Sequence, residues 1–323
     1  MKVFLTGASG FLGAHVLAEL RKARCEVRAL SRRPESDVAV AQQDASPIRC
    51  DLADPASLTA AVTGCAAVFH VAADTSMWRR NAAQQTANNV QGTANLLRAA
   101  DDAGVAAFVH TSSVATYSHL VHGILDESSQ QRGEESWINY EVTKHQSEKL
   151  VRQSAVPWII FQPSHILGPG DRRNWARLIK LIDRETLPGI PPGVGCFADA
   201  REVAKTQVRA WQRQKFGETY VLGGVEAPFA EVVHRVGDAL KRRTPRKPMP
   251  AWALMTIARF SNVWSHVTGK EPDMTPEAAA LTCHVLRVNS AKAERELDYR
   301  QPPLDEMLAD MIAWMRADGL IGG

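Results

Sequence analysis

The 323 residues suffice for one large α/β domain, or a domain with a small lobe, and a composition of 45% hydrophobic and 23% charged residues is ordinary for a globular protein. A formal net charge of +3 is too small to argue for nucleic acid or an anionic membrane as partner. Five cysteines (Cys25, Cys50, Cys65, Cys196, Cys283) with no Cys-x-x-Cys spacing argue against a disulfide framework or a zinc site, and fit a reducing compartment. With no signal-peptide pattern and no bilayer-length apolar stretch, the expected location is the cytoplasm.

Short apolar runs at 3–6, 26–30, 48–50, 67–71 and 108–112 read as strands, and the segments between them as helices. Asp54-Pro55 is an N-cap followed by proline at the first helical position, and Gly64 ends that pattern. A single helix is expected over 82–103, stopping at Gly104. A helix over 140–154 and a strand over 158–162 follow. Beyond Gly168-Pro169-Gly170 the pattern loosens, with helices at 201–215, 229–242, 250–268 and 304–317 and a strand at 219–222. Such alternation predicts a Rossmann-type α/β fold, a doubly wound parallel sheet covered on both faces. Residues 1–168 are read as the dinucleotide-binding domain and 169–323 mainly as a smaller substrate-binding lobe, with some segments returning to the sheet.

Gly7-Ala8-Ser9-Gly10-Phe11-Leu12-Gly13 lies between the first strand and a helix carrying Val16, Leu17 and Leu20. Glycines there permit a tight turn, close approach of backbone to a pyrophosphate and tight helix–strand packing. The helix N-terminus then offers N–H groups and positive dipole to phosphates. The second strand runs into Ser31-Arg32-Arg33 with no acid to hold ribose hydroxyls. A guanidinium there suits a 2′-phosphate, so NADP(H) is favoured over the alternative NAD(H), with Arg32 as main contact and Ser31 or Arg33 assisting.

Tyr140 and Lys144 stand one helical turn apart, on one face. An unperturbed tyrosine titrates near ~10, and a neighbouring ammonium favours its phenolate. Ser113, just past the fifth strand, is placed to donate a hydrogen bond to a substrate oxygen while Tyr140 exchanges the proton.

These residues resemble the extended short-chain dehydrogenase/reductases across nearly the whole chain. The shared signatures are Gly7-x-x-Gly10-x-x-Gly13, Asp51-Leu52, His70-Val71-Ala72-Ala73, Asn89-Val90-Gln91-Gly92-Thr93, Thr111-Ser112-Ser113, Tyr140-x-x-x-Lys144 and Pro163-Ser164-His165-Ile166. Phe69 to Ala73 and the tail Ser290 to Tyr299 are most similar to the dihydroflavonol-reductase-like branch, which includes sugar-epimerase-like proteins associated with hopanoid synthesis. The resemblance implies that Asp51 and Leu52 meet the adenine, Val71, Ala72 and Ala73 the cofactor backbone, and Pro163, Ser164, His165 and Ile166 the nicotinamide side. It implies that Lys144 also binds the nicotinamide ribose, that Ser113 rather than Ser112 is catalytic, and that the protein forms a homodimer. Relatives often carry histidine where Asp199 stands, so substrate contacts from that element do not carry over.

Trp78 and His165 are read as substrate contacts beside the cofactor-facing strand ends. His70 is expected to be buried and hydrogen-bonded. His119 and His122 lack a third ligand, so no metal is expected. The apolar residues Trp252, Leu254, Met255, Ile257, Phe260, Val263, Trp264 and Val267 are read as lobe core, in preference to a membrane-surface helix or pocket lid. The cluster Lys241-Arg242-Arg243 with Arg246-Lys247 is expected to end a helix. The functional expectation is an NADP(H)-dependent reductase or dehydrogenase acting on a hydrophobic small molecule. The alternatives are a nucleotide-sugar epimerase or dehydratase with retained NAD, and a non-catalytic dinucleotide sensor.

Overall fold

A computed structural model describes residues 1–322, the side chains of His266 and Val267 excepted, so Val267 of the apolar segment lies outside the described side chains. The chain begins β1 (Lys2–Thr6), α1 (Phe11–Lys22), β2 (Glu26–Ser31), α2 (Pro34–Ala41), β3 (Ser46–Arg49), α3 (Pro55–Val62) and β4 (Ala67–His70). It continues α4 (Ala82–Thr86), α5 (Gly92–Asp102), β5 (Phe108–Thr111), β6 (Ile124–Leu125), α6 (Asn139–Arg152) and β7 (Trp158–Pro163). Then come β8 (His165–Leu167), α7 (Trp175–Asp183), β9 (Val194–Asp199), α8 (Ala200–Gln212), β10 (Glu218–Leu222), β11 (Val225–Pro228) and α9 (Phe229–Leu240). The chain closes with α10 (Ala251–Thr268), α11 (Pro276–Cys283), β12 (Arg287–Val288), α12 (Ala291–Leu297) and α13 (Leu304–Ala317).

Seven parallel strands form the main sheet in the order β10-β7-β5-β4-β1-β2-β3. After β3 the chain returns to the other side of β1, which makes the C-terminal ends of β1 and β4 the switch point where α/β sheets bind ligands. Side chains alternate across the sheet, as the strand period of two requires. Val3, Leu5, Phe69 and Phe161 face α1 and α8, whereas Phe4, Val68, Phe108 and Ile160 face α3, α5 and α6. A second core gathers α7, α9 and α13 against the small sheet β11-β9-β8.

Three expectations need correction. The helix expected over 82–103 is interrupted by a π turn at Ala87–Gln91. Asn89 within that turn is buried and anchors the strand-end loop, accepting from Asp74 N at 2.7 Å and donating to Asp74 O at 2.9 Å. The basic cluster follows α9 rather than ending it, because Lys241 is left-handed (φ 56°) and stops the helix first. The apolar segment is lobe core only through Leu254 and Ala258, which pack on Ala279 of α11. Met255 packs partly against that cluster, whereas Trp252, Ile257, Phe260, Val263 and Trp264 stay exposed, since α11 covers one side of α10 alone.

Candidate active site

The loop after β1 is shaped by contacts that a side chain would block. Gly7 has φ +79°, and a Cβ on it would lie 2.8 Å from Ala72 N. A Cβ on Gly13 would lie 1.9 Å from Gly7 O. The glycine loop is thereby drawn against the Val71-Ala72 end of β4. Gly10 caps the twelve-residue α1 with no side-chain hydrogen bond, leaving its first-turn N–H groups for an external acceptor. Ser9 and Gly10 are exposed at this N-terminus, Phe11 is half-buried beside His15, and Leu12 belongs to the core. These features fit a pyrophosphate.

Further along the same edge, Arg32 is exposed, and among the described residues it makes no ion pair. Ser31 is buried and donates its hydroxyl to Arg33 O at 3.2 Å. Asp51 is exposed, its carboxylate accepting from Ala53 N at 2.9 Å, and Leu52 lies against Gly92. His70 is buried between Thr6 and Thr93. Thr6 Oγ1 accepts from Val71 N and Ala72 N, so its proton goes to His70 Nδ1 at 2.8 Å. His70 Nε2 then donates to Thr93 Oγ1 at 3.0 Å, which donates to Asn89 O at 2.6 Å. That assignment follows from the neighbours and requires a neutral ring. Burial agrees, lowering His70 to about 3. The network ties the glycine-loop strand to the helix carrying Asn89.

Past β5 the two serines part. Ser112 turns inward and donates to Glu148 at 2.5 Å, whereas Ser113 is half-buried and shares a side-chain hydrogen bond with Tyr140. Tyr140, Lys144 and Glu148 form one stripe on α6, spaced four residues apart. Lys144 is buried and donates to Thr111 O at 2.8 Å. Burial pulls its ammonium down to about 8, against the attraction of Glu148. Burial also raises the Tyr140 phenol above its usual value, with the Ser113 hydrogen bond pulling the other way. Glu148 is fully buried and accepts from Ser112, Gln131, Arg152 and Gln162. Glu148 and Gln162 were missed in the sequence, although the repeat of four from Tyr140 through Lys144 to Glu148 was visible.

Tyr140 opens into a cleft of about 210 Å³ lined by Met77, Trp78, Trp137 and Ile138, with Arg79 and Glu277 at its polar side. Gln85 is buried and holds the Trp78 loop by donating to Asp74 O and Ser76 O. Glu277, on α11, was another residue without a sequence signal. His165 is absent from the cleft lining. Its ring packs among Trp175, Phe197 and Phe229, and burial lowers it to about 4. The cleft geometry therefore lends no support to the substrate role read for it. Pro163 and Ser164 are buried at the end of β7, and Ile166 packs on the main core. Asp199 caps α8, accepting from Arg201 N at 2.7 Å, and pairs with the Arg201 guanidinium.

The NAD dependent epimerase/dehydratase family matches residues 3–223. This chain belongs to that family. Among its relatives is a ketoreductase of a farnesylated dihydroquinoline oxide from Stigmatella aurantiaca, 31% identical over 93% of this chain and 92% of its own. A putative dihydroflavonol 4-reductase from Synechocystis is 27% identical over 98% of this chain and 95% of its own. The crystal structure of gox2253 superposes with a TM-score of 0.83 at 30% identity, covering 99% of each chain. Epimerase/dehydratase family members are NAD(P)-dependent, and the protein is an enzyme of oxidoreductase type in this superfamily. No helix among the described residues is long and apolar enough to cross a membrane.

Proposed function

We propose that the protein is an NADP(H)-dependent reductase or dehydrogenase, acting on a ketone, aldehyde or secondary alcohol of a hydrophobic small molecule. The observation that carries this reading is the opening of Tyr140 into a cleft walled in part by Trp78 and Trp137, with Ser113 beside it and Lys144 behind. Residues 1–168 would hold the dinucleotide and the later lobe would complete the substrate site. The α1 N-terminus with Gly7, Gly10 and Gly13 would receive the pyrophosphate, and Arg32 the 2′-phosphate. When bound, the dinucleotide supplies or accepts the hydride.

The chain's own residues handle the oxygen. Ser113 donates a hydrogen bond to the carbonyl and orients it. Tyr140, kept protonated by burial, gives its proton to that oxygen in the reductive direction. Lys144 stabilises the phenolate so formed, and its bond to Thr111 O fixes its position. Trp78, Trp137 and Met77 exclude water and bind an apolar body. The test is NADPH oxidation against a panel of hydrophobic carbonyls, with Tyr140→Phe alongside. Turnover should appear with at least one member and fall by about 10²–10⁴-fold in the variant. Tightly retained NAD, with no reduction of any carbonyl, would overturn the reading in favour of an epimerase or dehydratase.

A further inference from the structure

The helix α10 divides cleanly into two faces. Leu254, Ala258 and Ser265 are buried on one side, the first two against Ala279 of α11. On the other side Trp252, Phe260 and Trp264 are 75%, 78% and 63% exposed, with Val263 and Ile257 on the same arc. These are among the largest apolar side chains in the protein, and among the described residues nothing covers them.

Charge accompanies the apolar face. Between Lys241 and Lys270 the chain carries seven Lys/Arg and no Asp or Glu, whereas its net charge is only +3, so the rest of the molecule is net negative. Asp183 pairs with Arg242 at 3.2 Å, and Glu185 accepts the Arg243 backbone N–H at 3.0 Å. Among the described residues no ion pair engages Lys241, Arg246, Lys247 or Arg259, or the side chain of Arg243, and all are exposed. Arg246 and Lys247 lie just before Pro250, the N-cap of α10, and Arg259 borders the exposed aromatic arc.

We propose that α10 and the preceding basic loop dock the protein on an anionic lipid bilayer. A flat, anionic and apolar-backed surface answers both features at once. Tryptophan suits the headgroup boundary, and unpaired cations suit acidic lipids. A second copy of this face is disfavoured, because a self-complementary contact would bring the cations together. The helix lies in the interface plane, since one of its faces stays packed on α11. That same α11 supplies Glu277 to the cleft wall, so one helix separates the bilayer surface from the substrate site.

The test uses the full chain, sedimented with vesicles of phosphatidylcholine alone or mixed with phosphatidylglycerol. Binding is expected to the anionic vesicles, weak binding to the neutral ones, and release in high salt. The triple variant Trp252→Ser, Phe260→Ser, Trp264→Ser should weaken binding by about ten-fold or more, while its circular dichroism melt stays that of the parent. A second variant, Arg243→Glu, Arg246→Glu, Lys247→Glu, should erase the preference for anionic over neutral vesicles. Failure to sediment with anionic vesicles, or unchanged binding by the triple variant, would overturn the proposal. So would a concentration-dependent dimer that the triple variant abolishes and vesicles leave intact.

Discussion

Lys144→Met tests whether this lysine is held charged at a cost to the fold. Lys144 titrates at about 8 in the native protein, against 10.5 for an unperturbed lysine, and desolvation is the main cause. The native proton is therefore bound more weakly than the unfolded one. Between pH 8 and 10.5 the unfolded chain holds a proton that the native protein has lost, so this group's contribution to stability rises with pH across that window. Below 8 both states are protonated, and the group's unfavourable contribution is constant. At about 1.4 kcal/mol per pH unit, that contribution is about 3 kcal/mol. Methionine removes it, at the expense of the ammonium hydrogen bond to Thr111 O, worth about 1.5–3 kcal/mol. Denaturant unfolding at pH 7 should find the variant more stable by about 1 kcal/mol, and the advantage should shrink toward pH 10. Its turnover should be nearly lost. A variant less stable than the parent at pH 7, or a difference that ignores pH, would refute the electrostatic account.

Gly13→Ala forces a methyl into Gly7 O, and should destabilise by about 1–3 kcal/mol and abolish the melting-temperature rise that NADPH gives the parent. Arg32→Glu should raise KM for NADPH by at least about ten-fold and leave KM for NADH nearly unchanged; equal effects on both would remove the 2′-phosphate from the argument. Glu148→Gln deletes the charge that supports the Lys144 ammonium, so Lys144 should titrate below 8 and the alkaline limb of the pH–rate profile should move to lower pH. An unmoved limb would leave Glu148 with a purely structural role.

Local patterns carried most of the N-terminal half. β1, the glycine loop and α1 are contiguous, so their geometry could be read from adjacent residues. Likewise the Tyr140–Lys144 pair needed only helical spacing. Long-range features were hidden. Gln162 lies on β7 and Glu148 on α6, and only the sheet order brings them together with Ser112. Glu277 reaches the cleft from far along the chain, and Arg79 sits 3.8 Å from it. The burial of His165 also depended on a partner sheet, because three aromatic rings from α7, β9 and α9 close around it. The exposed face of α10 misled for a related reason. Amphipathic spacing shows that a helix has an apolar side, but only packing decides whether the protein itself covers that side.

The two shifted groups of the stripe bear on direction. A dehydrogenase running toward oxidation, or an epimerase taking a hydroxyl proton first, needs the phenolate of Tyr140 at the outset. Burial opposes that form, and the hydrogen bond from Ser113 is the counterweight. Lys144 directs its ammonium to Thr111 O and, titrating at about 8, still carries its charge in most molecules at neutral pH. A protonated phenol backed by a cation is an acid whose conjugate base is stabilised as it forms. That pairing suits proton delivery to a carbonyl oxygen, where negative charge develops during the reaction rather than before it. A buried Glu148 at the far end of the same stripe favours the cation against the effect of burial, which couples Tyr140 at the cleft to the hydrogen-bonded core beneath it.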